Sequence, residues 1–277
     1  MAPKILSYTM YTNTEKPTTN HIPITTIDAQ NDIQQTIPVR PQLPAVVTAR
    51  EQLSRARIRL TFSGDDVATF IRNKAAQAPG NWVKLFVPSS NGEIVGRAYT
   101  LRKFDLCMGT FEIDFFTHEN GPASSWANSA QVGDTITFAG PRDGGFALNP
   151  ISEWLVLIGD ETCLSAIQVI LSNLPSDLPG TVLIEVDDPD EHKPFFVGKN
   201  MKLQWIKRTH NPLKTDDALT KSLSNMEKLS GFGQAWVAGE SSSVMVIRTF
   251  LQEKWKLDKE SIRTKGYWKK GVTHFRS

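Results

Sequence analysis

Cysteine is nearly absent: the 277 residues hold two, Cys107 and Cys163, far apart and in no CxxC spacing. That excludes a disulfide framework, a Cys-rich zinc site and a protein-ligated iron–sulfur cluster, so any redox role depends on a carried cofactor. The chain also lacks a run of the roughly 18 apolar residues that a membrane span requires, and its N-terminus has no apolar leader. The expected address is the cytoplasm, with no membrane partner. Charge of one sign is scarce too: the formal net charge is only +2, which gives little long-range pull toward nucleic acid and leaves any partner to be recognised locally. No convincing cluster of His, Cys, Asp and Glu falls at metal-ligand spacing, and no metal site is expected.

What is present is an ordinary globular composition, 40% hydrophobic and 22% charged, with seven Trp and fourteen Phe to fill interiors. The length favours two packed domains over one. Residues 1–40 are rich in Thr, Asn, Gln and Pro and bury little, so they are read as a flexible extension or an arm. A monomer is the expectation.

From residue 41 to 145 the apolar residues fall in short runs with two-residue alternation, as in Ala56–Phe62, Val83–Val87, Thr110–Phe116 and Thr135–Phe138. Short strands separated by Gly and Asn predict an antiparallel β-barrel. Residues 146–277 change rhythm. Strands are expected at Trp154–Ile158, Thr181–Val186, Leu203–Ile206 and Ala235–Ala238, and helices at Glu161–Leu174, Asp216–Leu229 and Ser242–Lys254. Alternating strands and helices predict a Rossmann-like parallel α/β domain, ending here in a basic tail. The joint lies at Pro141–Pro150, with Gly144 and Gly145.

Three segments carry chemistry. In Arg97-Ala98-Tyr99-Thr100-Leu101-Arg102, strand alternation sends Arg97, Tyr99 and Leu101 one way and Ala98, Thr100 and Arg102 the other. Such a strand offers a cation, a planar ring and a hydroxyl; the plainer reading is a solvated arginine beside a packed tyrosine. The second segment runs from Asp114, Phe115, Thr117 and His118 through Gly121-Pro122 to Ala123, Ser124, Ser125 and Trp126. A helix opening there would aim the amides of Ala123, Ser124 and Ser125 at a phosphate. His118 reads as a structural or ligand-contacting group. The third is Gly159-Asp160-Glu161-Thr162 at a strand end, matched by Ala238-Gly239-Glu240. Each on its own is a helix cap, and two such loops together make a shared nucleotide crevice.

With Gly140-Pro141-Arg142 and Gly266-Tyr267-Trp268, these segments resemble in order the siderophore-interacting protein family, flavin-dependent ferric-siderophore reductases related to the ferredoxin–NADP reductases. The resemblance implies FAD held by Arg97, Ala98, Tyr99, Thr100, Asp114, Phe115, Thr117, His118 and the Ala123–Trp126 helix start, with Tyr99 and Thr100 next to the reacting ring. It implies NAD(P)H at Gly159, Asp160, Glu161, Thr162, Ala238, Gly239 and Glu240, with a ferredoxin donor as an alternative. The acceptor is then a ferric siderophore, for which Arg263, Lys265, Lys269 and Lys270 are the candidate cations. Other readings stay open: a related reductase with another acceptor, or a siderophore-binding protein without turnover. So does the donor, since the acidic run Glu185, Asp187, Asp188, Asp190 and Glu191 favours a free ribose hydroxyl while Arg208 suits a 2′-phosphate.

Overall fold

The computed structural model describes residues 41–117, 121–188, 195–208 and 218–272. The extension at 1–40, His118, Asp190, Glu191 and the first residues of the expected helix at 216 lie outside them.

Alternation decides the first sheet. Its strands are β1 (Leu43–Ser54), β2 (Arg57–Ser63), β3 (Trp82–Pro88), β4 (Ile94–Thr100), β5 (Lys103–Asp105), β6 (Thr110–Phe116) and β7 (Thr135–Arg142). They pair antiparallel in the order β4-β3-β7-β1-β2-β6-β5. In β2 and β6 every second side chain, Ile58, Leu60 and Phe62 and then Phe111, Ile113 and Phe115, is fully buried. These residues close over one core with Val83, Leu85, Val87 and Phe138, so the sheet curls on itself. The curl brings β4 across to β6, where the Tyr99 and Phe115 rings lie 4.4 Å apart. No ladder joins the two strands, so the expected barrel is a curled open sheet. Helices α1 (Asp65–Phe70) and α2 (Pro122–Ser129) plug it with Val67, Phe70, Ala123 and Ala127.

The second sheet is parallel, with β8 (Trp154–Asp160), β9 (Gly180–Val186), β10 (Met201–Lys207), β11 (Gly233–Glu240) and β12 (Ile262–Trp268) in the order β10-β9-β8-β11-β12. Every residue of central β8 is buried, as a strand covered on both faces must be. Leu155, Leu157, Val182 and Ile184 meet α3 (Leu164–Ser172), while Val156, Ile158, Leu183 and Val237 meet α4 (Ala218–Ser224) and α5 (Ser241–Glu253). The stretch read as a basic tail is therefore strand β12, paired with β11 from Ala235↔Ile262 to Glu240↔Trp268.

The joint between the sheets is tight. A Cβ at Gly144 would lie 1.8 Å from the Gly80 carbonyl oxygen, so only glycine fits. Its N–H donates to Asn81 Oδ1 at 2.9 Å, and its carbonyl accepts from Trp236 Nε1 at 3.3 Å. Phe146 then enters the core of the parallel half.

Candidate functional site

On β4 the predicted alternation holds. Val95, Tyr99 and Leu101 pack toward the core of the curled sheet, whereas Ala98 is exposed. Tyr99 is only partly covered, with Phe115 behind its ring. Burial pushes its phenol pKa up against the lowering effect of the Arg97 charge, so the ring stays neutral. Arg97 is half-buried, and its Nη1 donates to the Gly96 carbonyl at 3.0 Å. Thr100 is buried, with its side chain beside the hydroxyl of Tyr267 on β12. The two meet at the seam between the curled sheet and the parallel one. Burial, then the Cys163 and Asp160 charges, raise the Tyr267 phenol pKa as well.

Other residues expected at a cofactor have partners within the fold. Phe115 is wholly inside the core and buttresses Tyr99. The Asp114 side chain is 3% exposed, and Arg59 grips it at 2.7 and 3.0 Å. It also accepts from Ser165 Oγ of α3 at 3.2 Å, a tie across the seam. Thr117 donates its N–H to the Ala56 carbonyl. Trp126 lies over Phe62 at 6.5 Å and close to Phe115. In α2 the Ser125 N–H donates to the Gly121 carbonyl at 2.8 Å, and Ala123 and Ser124 lie in the same first turn.

The strand-end loops of the parallel sheet meet in a knot around Asp160, which is 3% exposed. Its Oδ1 accepts from the Thr162 N–H at 2.9 Å and from the Thr162 hydroxyl; its Oδ2 accepts from the Glu240 N–H at 3.0 Å and Trp268 Nε1 at 2.9 Å. The capping role of Asp160 is thus real, and it extends across three strand ends. Gly239, at φ +133°, would drive a Cβ to 2.5 Å from Asp160 Oδ2, so the glycine lets the carboxylate in. Glu240 caps α5 through Oε2, with bonds of 2.7 and 2.9 Å to the Ser242 and Ser243 amides, and Oε1 accepts from the Lys270 N–H. Glu161 grips Arg208. The side chains of Asp160, Glu161 and Glu240 are therefore engaged within the protein, and Gly159, Ala238 and Gly239 are buried beside them. Cys163 lies behind them, its thiol pushed well up by burial and then by the Asp160 charge, hence protonated.

The four candidate cations do not form one patch. Lys265 stands over the Trp82 ring at 5.7 Å, at the seam. Arg263 is in a surface groove with Arg248 and Lys259, and Lys269 and Lys270 lie past the end of β12 beside Glu240. Sequence reasoning missed two partners of Lys265: Trp82 itself, and Arg142, whose guanidinium carbon is 5.3 Å from the same ring and whose buried Nε has no hydrogen-bond partner. Arg142 stood in the Gly140-Pro141-Arg142 motif; nothing local linked it to Lys265, 123 residues on.

Two family profiles match the chain: one described as siderophore-interacting FAD-binding domain over residues 91–145, the other as siderophore-interacting protein over residues 152–271. Among curated relatives, the ferric vibriobactin reductase of Vibrio cholerae is 27% identical over 80% of this chain and 87% of its own. The ferric acinetobactin reductase of Acinetobacter baumannii is 29% identical over 71% of this chain and 69% of its own. The crystal structure of a siderophore utilization protein from T. fusca superposes with a TM-score of 0.75 at 28% identity, covering 85% of this chain and 95% of that one.

Proposed function

The chain belongs to the siderophore-interacting protein family, and from that premise we propose that it carries electrons from a reduced nicotinamide nucleotide through FAD to a ferric siderophore, releasing Fe(II) in the cytoplasm. It is an FAD-dependent oxidoreductase. The observation that carries the finer reading is the seam: Thr100, on the strand with the cofactor-type residues, stands beside Tyr267, next to the nucleotide-type loops, and Ser165 of α3 bonds Asp114 of β6.

The residues fit the cofactor by their donor chemistry. Arg97 supplies a cation for a pyrophosphate, the α2 amides supply N–H groups for phosphate oxygens, and Ala98 and the partly open Tyr99 ring admit a planar group. None of these groups is anionic. FAD held by these residues would supply the conversion between a two-electron donor and the one-electron Fe(III) acceptor. The protein's part is placement. Phe115 backs the Tyr99 ring, Tyr267 stands beside the Thr100 side chain, and the Asp160 knot fixes the buried turns at Gly159 and Ala238–Gly239, at the strand ends where a nicotinamide would lie. At the rim, Lys265 and Arg142, both close to the Trp82 ring, offer positive charge to an anionic chelate without ligating its iron.

The test is a steady-state assay with FAD-loaded protein, a reduced nicotinamide, a ferric siderophore and a chromogenic Fe(II) trap. Fe(II) should form only when protein, FAD and nucleotide are all present. FAD-loaded protein that forms no Fe(II) above the protein-free rate would overturn the reading.

A further inference from the structure

The edge of the parallel sheet beyond the seam holds an unusual arginine. Arg208 follows β10, its N–H bonded to the Val186 carbonyl at the end of β9. Its Nη1 donates to Glu161 Oε1 at 2.6 Å and Asp187 Oδ1 at 2.7 Å, its Nη2 to Glu161 Oε2 at 2.6 Å, and its Nε to Glu185 Oε2 at 2.9 Å. One bond from Nε, two from Nη1 and one from Nη2 use four of the five N–H groups a guanidinium has. The carboxylates come from two strand ends: Glu161 after β8, and Glu185 and Asp187 at the end of β9. Three carboxylates around one guanidinium leave a net charge of −2, or −1 if buried Glu161 takes a proton.

Position gives this cage its meaning. In a parallel sheet ordered β10-β9-β8-β11-β12 the strand order reverses between β8 and β11, and a dinucleotide lies across that crevice with its adenosine ribose toward the end of the second strand, here β9. A carboxylate at that place accepts from a ribose 2′-hydroxyl, whereas a 2′-phosphate needs an available cation. Among the described residues Arg208 is the cation at that place, and it is already bound. A 2′-phosphate, carrying nearly two negative charges, would have to enter beside these carboxylates and strip one from a partly buried, bidentate arginine.

We infer that this chain selects NADH over NADPH, and that the Glu161–Glu185–Asp187 cage around Arg208 is the specificity determinant. The inference rests on the nicotinamide-donor reading above. The selectivity should reach the order of tenfold or more in kcat/KM, as like charges set against a partner commonly produce.

Two measurements test it. Calorimetric binding of ADP-ribose and of 2′-phospho-ADP-ribose to the FAD-loaded protein reads the cage without turnover, and anaerobic bleaching rates with NADH and NADPH read it with the nicotinamide present. Expected are tighter binding of the unphosphorylated ligand, faster bleaching by NADH, and a gap that narrows at least about threefold in E185Q/D187N and on raising salt. Asp187→Asn alone, at a half-exposed side chain, gives the same direction should the double variant fold poorly. Equal or better use of NADPH by the wild type would overturn the inference and leave the donor reading standing. A wild-type gap that neither variant nor salt narrows would remove the cage as its cause. Failure of both nucleotides to bind and to bleach would overturn the donor reading and this inference with it.

Discussion

The two halves of the site use their polar residues in opposite ways. On β4 the groups that fit a ligand keep surface: Ala98 is exposed, and Arg97 and Tyr99 are partly so. At the strand ends of the parallel sheet the charged groups are consumed: Asp160 accepts four hydrogen bonds, Glu240 three, and Glu161 holds both Nη groups of Arg208. The first half leaves polar groups at its surface, and the second spends them on joining strand ends.

The contrast can be broken most sharply at Asp160. Asp160→Ala leaves buried donors from three loops unpaired and should cost about 3–5 kcal/mol, read as a urea-midpoint shift. Full stability in this variant would dissolve the knot. Gly239→Ala forces an unfavourable φ and a clash with the same carboxylate, and should cost about 2–4 kcal/mol by the same measurement. Arg97→Ala acts on the other half and in the other way. It should weaken FAD binding by about ten- to a hundredfold, the worth of one charge-assisted hydrogen bond or two, with a stability change of the apo protein under about 1 kcal/mol. Equilibrium dialysis of FAD separates these effects, and an Arg97→Ala protein that retains FAD like wild type would take Arg97 out of the site. The smallest effect belongs to the rim: Lys265→Ala should raise the KM for an anionic ferric chelate about threefold at low salt and less at high salt, with bleaching by NADH unchanged.

Much of the fold was legible because both periodicities are strong. Ile58, Leu60 and Phe62 alternate cleanly, and β8 is an unbroken apolar run ending in Gly159. Strand β12 was not legible. Arg263, Lys265 and Gly266 dilute its apolar content, because it is an edge strand paired with β11 that gives only Ile262 and Tyr267 to the cores. The helix expected to run to Leu229 stops at Ser224. At the site, residue types were readable and their partners were not. Nothing near Asp114 in the chain announces Ser165, and nothing near Arg208 announces Glu161, 47 positions earlier. Those bonds exist only once the strands are in order, and they decide which carboxylates remain for a ligand.

The central claim is that the seam where Thr100 meets Tyr267 is where electrons pass from nucleotide to ferric chelate through FAD. An anaerobic visible spectrum of the FAD-loaded protein tests it in one cuvette, with NADH added first and a ferric siderophore second. The account predicts that NADH bleaches the flavin bands and that the ferric chelate restores them as Fe(II) appears. A flavin that bleaches and stays bleached in the presence of ferric siderophores, or that no reduced nicotinamide bleaches, would contradict it.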